Sequence, residues 1–389
     1  MDELIPPHGG KLIQRLMVGA ERESRLHQAR TLPSITLDKW ELSDLELLAH
    51  GAMSPLEGFL READYDAVVD RMRLADGTVW PLPITLALTE GEADLWREGA
   101  DLALKSPDGQ IAAVLQEPQL FPRNALVEAK LVYGTTDASH HPAVARLLSQ
   151  GPYCVGGKVS VLDLPRRREF ASYQMTPFQT RQEFIRRGWR QVVGFQTHGP
   201  IHRAHEYLLR CALETADGLL VHPPVGPAWE GDLPAAVRIQ CHEALLKSYF
   251  PKERVMLVVN PAWVRYAPPR EAVFHAILRQ NYGCTHFIVG RDPVRLERLQ
   301  DPRDAQRIFQ RFKPGELGVT PLCFDNAFFC KMCQAIRTVK SCSHPSAERI
   351  LLSTTALQES LLQGKVPPPE FTRPEVAEVL REAYSKVSV

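Results

Sequence analysis

His202 and His205 stand three residues apart in Gly194-Phe195-Gln196-Thr197-His198-Gly199-Pro200-Ile201-His202-Arg203-Ala204-His205-Glu206. An apolar run precedes them, Gly199 and Pro200 break that run, and a helical pattern follows. At this spacing two imidazoles share one face of a first helical turn. A helix N-terminus adds free backbone N–H groups and a positive dipole end. Together the rings and amides make a site for triphosphate oxygens, with the histidines stabilising charge on a phosphate under attack. The bare spacing also fits a zinc pair or two surface histidines. The strand-to-helix position after Gln196 and Thr197 favours a nucleotide.

A second constellation is Cys330-Lys331-Met332-Cys333, followed by Cys342-Ser343-His344. Three thiolates and one imidazole suffice for tetrahedral Zn²⁺, so Cys330, Cys333, Cys342 and His344 are candidate ligands. Water or a more distant residue could take the place of His344, and ordinary buried thiols are the alternative for the whole set. The pair lacks a thioredoxin-like setting, which argues against a redox role. The other five cysteines are scattered and read as reduced thiols of a cytoplasmic protein rather than a disulfide framework. His8, in a Pro-Pro-His-Gly-Gly turn, His275 and His286 read as structural.

These residues need a scaffold. Apolar runs recur at 191–196, 218–222, 254–259, 285–290 and 318–324, with helical patterns at 203–216, 235–249, 270–280 and 303–312 between them. Strand and helix alternating at that interval predict parallel βαβ units. In such sheets ligands bind beyond the carboxyl ends of the strands. The region before about 165 reads as a mixed, mostly β domain with helical stretches near 43–49 and 64–72. Pro165-Arg166-Arg167-Arg168 marks its end, as a solvated linker rather than a phosphate patch. The last 60 or so residues predict an apolar helix at 353–363, a stop at Pro367-Pro368-Pro369 and a helix from Pro374. The expected division is therefore 1–165, 166–325 and 326–389.

The chain has 389 residues, with 46 Lys plus Arg against 46 Asp plus Glu, and a formal charge of zero. That balance argues against a coat for nucleic acid or an acidic membrane. Apolar residues at 44% and charged residues at 24% fit a globular chain and exclude collagen-like, disordered and coiled-coil classes. No run of about 18 apolar residues suggests a membrane span, and the first ten residues do not read as a secretory signal. A cytoplasmic globular protein without membrane or nucleic-acid partners is expected.

The chain resembles ATP sulfurylase (sulfate adenylyltransferase) of the single-polypeptide bacterial type. The motif from Gln196 to His205 is similar to the family's Gln-Thr-Arg-Asn-Pro-x-His-x-x-His. Further likeness lies in Leu4-Ile5-Pro6-Pro7-His8-Gly9-Gly10, Met53-Ser54-Pro55-Leu56-Glu57-Gly58-Phe59, Arg265-Tyr266-Ala267 and Pro269-Arg270-Glu271-Ala272. It continues through Asn281-Tyr282-Gly283-Cys284-Thr285-His286-Phe287-Ile288-Val289-Gly290-Arg291-Asp292 and the segment Pro367 to Val376. The resemblance implies an α/β protein: a PUA-like N-terminal domain, a Rossmann-like nucleotidylyltransferase domain, and a small C-terminal domain with a zinc site. No appended kinase-like domain is expected. The implied reaction is ATP plus sulfate giving adenylyl sulfate and pyrophosphate, or its reverse, with Mg²⁺ accompanying ATP. A sulfate oxygen attacks the α-phosphorus directly, so catalysis rests on positioning and charge stabilisation. Carried onto this chain, the catalytic residues are Gln196, Thr197, His198, His202, His205 and Arg291. Gln196, His202, His205, Gly290, Arg291 and Asp292 hold the nucleotide, and a homo-oligomer, by default a dimer, is implied.

Several site loops depart from the family pattern. The family's Arg and Asn are His198 and Gly199 here. A neutral imidazole does not replace a bidentate, permanently charged guanidinium. Gly-Arg-Asp continues as Pro293-Val294-Arg295 instead of His-Ala-Gly. Pro268 replaces a glycine, Trp229 stands at a lysine position, and Ser-Gly-Thr becomes Ser353-Thr354-Thr355. Arg295 and Arg298 are read as surface charges that could partly restore the lost positive charge. The alternatives are a divergent paralogue that adenylylates another oxyanion-bearing substrate, and a non-catalytic nucleotide binder.

Overall fold

The computed structural model describes residues 4–95, 99–164, 168–229, 232–290, 301, 303–352, 357, 360, 361, 363, 365 and 367–385. Three sheets follow one another along the chain. The first joins β1 (Ser34–Thr36), β2 (Gly58–Phe59), β3 (Leu86–Leu88), β4 (Leu102–Lys105), β5 (Ile111–Pro122) and β6 (Tyr153–Val161). Its helices are α1 (Gly19–Ala29), α2 (Lys39–Ala49), α3 (Glu62–Arg71), α4 (Glu90–Leu95), α5 (Ala125–Glu128) and α6 (Pro142–Ser149). A capping box starts α2, where the Asp38 carboxylate accepts from the Trp40 and Glu41 amides and Glu41 reaches back to the Asp38 amide.

A helix the sequence reading did not identify, α7 (Pro177–Arg186), leads out of this unit. Its signals were nonetheless present: Thr176 and Gln179 form a capping box and Pro177 occupies the first turn. The second sheet contains β7 (Val192–Phe195), β8 (Gly218–Val221), β9 (Val255–Leu257), β10 (His286–Val289) and β11 (Thr320–Cys323). All its pairings are parallel, as the apolar runs required. Between the strands lie α8 (Arg203–Leu213), α9 (Ala235–Tyr249), α10 (Arg270–Asn281) and α11 (Asp304–Arg307). The pattern expected to be one helix at 303–312 is instead α11 followed by a 3₁₀ turn at Ile308–Arg311.

The third sheet is antiparallel, with β12 (Phe328–Cys330) between β13 (Ala335–Arg337) and β14 (Arg349–Leu351). A final helix, α12 (Pro374–Ser385), lays Val376 and Leu380 against Leu245 and Leu246 of α9. The helix expected at 353–363 and the arginines at 166–167 fall mostly or wholly outside the described residues.

One apolar core links the first two sheets, with Leu45, Leu48, Trp80 and Ile84 meeting Phe184, Trp189, Phe274 and Ile277. Buried polar contacts fix the two units in register. Arg270 donates to the Val68 and Val69 carbonyls at the end of α3, both at 2.8 Å. Asp44 of α2 accepts from Arg265 and, at 3.0 Å, from the Trp263 indole. Burying such a charge is tolerable only when its partners are this complete.

Candidate functional site

The strand order of the parallel sheet is β11-β10-β7-β8-β9. The chain therefore starts in the middle, runs outward through β8 and β9, then returns to the other side of β7. The switch point lies between β7 and β10, and a crevice opens there beyond the carboxyl ends of both strands. The loop from Gln196 to His202 leaves β7 at this crevice, and Gly290 follows β10. Gly290 is exposed, with open space where a Cβ would stand. Arg291, Asp292, Arg295 and Arg298 lie outside the described residues.

His202 ends the loop as the residue before α8, with extended backbone. Its ring stacks on His205, with centroids 3.8 Å apart and planes inclined by 23°. The His205 Nδ1 accepts the His202 backbone N–H at 3.4 Å. That acceptor role leaves the ring proton of neutral His205 on Nε2, as a donor. His202 is buried, and its Nδ1 has no hydrogen-bond partner among the described residues. Burial pushes the His202 pKa down to about 4 and holds that of His205 well below its ordinary value. Both rings are therefore neutral at pH 7, able to donate to phosphate oxygens without the cost of burying a cation.

Behind the loop sits Arg279 of α10, fully buried. Its Nη2 donates to Gln196 Oε1 and, at 3.0 Å, to the carbonyl of His222, the residue that follows β8. Arg238 of α9, also buried, donates to the Pro224 and Leu233 carbonyls at 2.6 and 3.0 Å and reaches the His198 carbonyl at 3.5 Å. His198 is half-buried, with its Nδ1 enclosed and unpartnered among the described residues. Burial pushes its pKa down to about 3, although the Glu271 carboxylate pulls the other way. Glu271 lies 3.4 Å from His275 Nε2 and accepts the Arg265 and Ala267 amides at 2.8 and 3.1 Å. His275 in turn has its ring centroid 6.1 Å from that of His198.

The structure thus brings Gln196, Thr197, His198, His202 and His205 to one loop and helix start. Arg238, Glu271 and Arg279 were missed by sequence reading, because helical arginines and glutamates pass for surface charge. One signal was available: Gly194 interrupts an apolar strand, which marks a close approach by another group. A Cβ there would meet Arg279 Cγ at 2.5 Å. His275, read as scaffold, lines the His198 side of the site. His8 and His286 lie in other surroundings: the buried His8 ring contacts the Val79 carbonyl at 2.7 Å, and His286 contacts the Thr285 hydroxyl at 2.9 Å. Trp229 serves packing. Its indole donates to the Val264 carbonyl at 2.7 Å and its ring centroid lies 4.5 Å from that of Trp40.

The cysteine cluster assembles at the third sheet. The ligand atoms of Cys330, Cys333, Cys342 and His344 all lie within 4.8 Å of one another. Cys333 and Cys342 Sγ are 3.8 Å apart, and His344 Nδ1 is 3.5, 3.3 and 3.6 Å from the sulfurs of Cys330, Cys333 and Cys342. A tetrahedral ion with Zn–S bonds of about 2.3 Å spaces its sulfurs by about 3.8 Å. The donor set and its spacing fit a tetrahedral metal ion. Among the described residues no helix is long and apolar enough to cross a membrane.

A parallel sheet with paired histidines at its switch point defines an α/β nucleotidyltransferase, here joined to a PUA-like unit. Comparison with known proteins narrows this class. An ATP-sulfurylase family model matches residues 171–383, and a PUA-like domain model matches residues 5–164. The sulfate adenylyltransferase of Symbiobacterium thermophilum is 53% identical over 378 residues, covering 97% of this chain and 96% of that one. The sulfate adenylyltransferase of Synechococcus elongatus is 48% identical over 393 residues, covering 100% and 99%. Among solved structures, a hexameric APS kinase from Thiobacillus denitrificans superposes with a TM-score of 0.78 at 28% identity, covering 98% of this chain and 69% of that one. The chain belongs to the ATP-sulfurylase family.

Proposed function

We propose that this protein is a sulfate adenylyltransferase, joining ATP and sulfate to give adenylyl sulfate and pyrophosphate, or running the reverse reaction. The observation that carries the reading is the stacked, neutral His202–His205 pair at the head of α8, beside Gln196 at the end of β7. In this reading His202 and His205 donate ring N–H groups to the triphosphate as pyrophosphate leaves. Gln196 and Thr197 position the acceptor, and His198 occupies its rim. Arg291, Gly290 and Asp292 complete the nucleotide loop. Sulfate attacks the α-phosphorus in line, its oxygen forming the new P–O bond as the bond to pyrophosphate breaks. No enzyme nucleophile is required.

Mg²⁺ would arrive with ATP and neutralise phosphate charge. Zn²⁺ would be held by Cys330, Cys333, Cys342 and His344, tying β12 to the segment before β14 as a structural element. The functional division follows as 1–165, 166–325 and 326–389, in a cytoplasmic homo-oligomer.

A changed acceptor is the second reading. It is favoured by His198, a neutral ring where the family pattern has a guanidinium. The test is pyrophosphate release from Mg-ATP with sulfate, molybdate and a panel of oxyanions and acidic metabolites, beside ATP formation from adenylyl sulfate and pyrophosphate. Sulfate-dependent turnover supports the first reading. Turnover only with another acceptor supports the second. Nucleotide binding without any turnover overturns both in favour of a binding protein.

A further inference from the structure

Arg279 is a cation in an unusual place. It is fully buried, and no described carboxylate pairs with it. Its Nε and Nη1 have no hydrogen-bond partner among the described residues. The Phe287 ring lies 5.5 Å from the guanidinium carbon, and the side chain passes tightly by Gly194. Removing a guanidinium from water without a counter-ion is strongly unfavourable. A protein that bears such a cost at a ligand crevice gains most when the ligand is an anion.

The contact with Gln196 has a second consequence. A guanidinium has donors only. The Gln196 atom facing it is therefore the carbonyl Oε1, as the structure has it. The other end of that planar amide is Nε2, which carries two N–H donors and is turned away from Arg279. Gln196 is only half-buried and directly follows β7, at the carboxyl end of the sheet where ligands of this fold class bind. Without Arg279 the amide could rotate by half a turn and present an acceptor, which repels an oxyanion. The same guanidinium nitrogen holds the His222 carbonyl and so ties the end of β8 to the end of β7.

We infer that Arg279 is a positioning residue for the acceptor oxyanion: it locks Gln196 with its amide donors toward the anion. The inference rests on the acceptor site proposed above. It extends that site to a residue on α10 that does not itself touch the substrate.

The test combines Arg279→Met, Gln196→Met and the double variant in the full-length protein, with folding checked by thermal melting. The expected result is a rise of about tenfold or more in the KM for sulfate in each single variant, with a clearly smaller rise in the KM for ATP. The double variant should be little worse than Gln196→Met alone, because Arg279 acts through Gln196. Independent, multiplicative losses, or equal losses for sulfate and ATP, would overturn the proposal. Should Arg279→Met fail to fold, selective ¹⁵N-glutamine labelling reads whether the Gln196 amide meets the anion in the wild type. The Gln196 side-chain amide, identified by its loss in Gln196→Met, should shift on titration with sulfate, and an unmoved resonance overturns the proposal. If the wild type makes no adenylyl sulfate, the proposed function fails, while the amide titration, repeated in Arg279→Met, still decides whether Arg279 presents Gln196 to an oxyanion.

Discussion

Glu206 and Arg373 are joined by two parallel hydrogen bonds, at 2.8 and 2.6 Å, between residues 167 positions apart. Glu206 directly follows His205, and Arg373 directly precedes α12. Arg210, one turn along α8, donates to the same carboxylate at 3.1 Å. The pair clamps the C-terminal segment against the helix that carries the paired histidines. The Arg203 side chain adds a bond to the Pro369 carbonyl at 3.0 Å. The resemblance in Pro367–Val376 thus has a physical role: this segment holds the start of α8 in place.

Arg373→Ala should therefore loosen the site from a distance. Arg210 and Arg203 still face the Glu206 carboxylate in this variant, so the loss is that of the charge-assisted hydrogen bonds to Arg373, about 1.5–3 kcal/mol, readable by denaturant unfolding. Burial raises the Glu206 pKa, but Arg373 and its neighbours outweigh burial and leave it below its ordinary 4.5. The unfolded chain then binds the proton more readily. This contribution is present above pH 4.5 and is lost as pH falls through the lower folded-state value. Melting curves of the wild type should lose this increment in that window, and those of Arg373→Ala should lose less.

His202→Ala and His205→Ala should each lower kcat by about 10²–10³, the usual cost of removing one donor to developing charge. A smaller loss in KM for ATP than in kcat would mark a contact made mainly in the transition state. Steady-state kinetics on both variants checks this.

The low histidine pKa values make a separate statement about pH. His202 and His198 fall from an ordinary 6.5 to about 4 and about 3 because burial disfavours their charged forms. Between pH 6.5 and 4 the unfolded chain binds more protons at these sites than the folded one. Stability therefore rises with pH through this window, and acidification removes it. Neither ring should titrate in the activity profile between pH 6 and 9. A kcat/KM inflection near 6.5 that disappears in His202→Asn would contradict this.

Metal removal tests the cysteine cluster. Elemental analysis should find one zinc per chain, and Cys333→Ser should lower that content sharply. Chelation should lower the melting temperature, because metal binding favours the folded β12–β14 region alone.

Gly194→Ala should displace Arg279. The added methyl meets Arg279 Cγ at 2.5 Å and Cys284 Sγ at 3.2 Å. Overpacking of this kind costs about 1–3 kcal/mol. Urea unfolding measures the loss, and the sulfate KM should rise with it.

By itself the sequence determined the local layers of this protein. Alternation of apolar runs and helical patterns located β7 to β11 and α8 to α10. Gly199 and Pro200 located the turn, and the spacing of Cys330, Cys333, Cys342 and His344 located a Cys/His cluster that the fold brings together. These are short-range signals, carried by periodicity and by residue geometry within one turn. The helix α7 was equally local and was overlooked although its capping box was present. Only the tertiary structure decided that β10 lies beside β7, which puts the site at the switch point. It alone decided that Arg279 reaches Gln196 past Gly194, that His275 and Glu271 stand behind His198, and that Arg373 holds Glu206. Such pairings depend on which faces pack together, and long-range packing leaves no period in the chain. A buried arginine and a solvated one read alike until the fold removes the water from one of them.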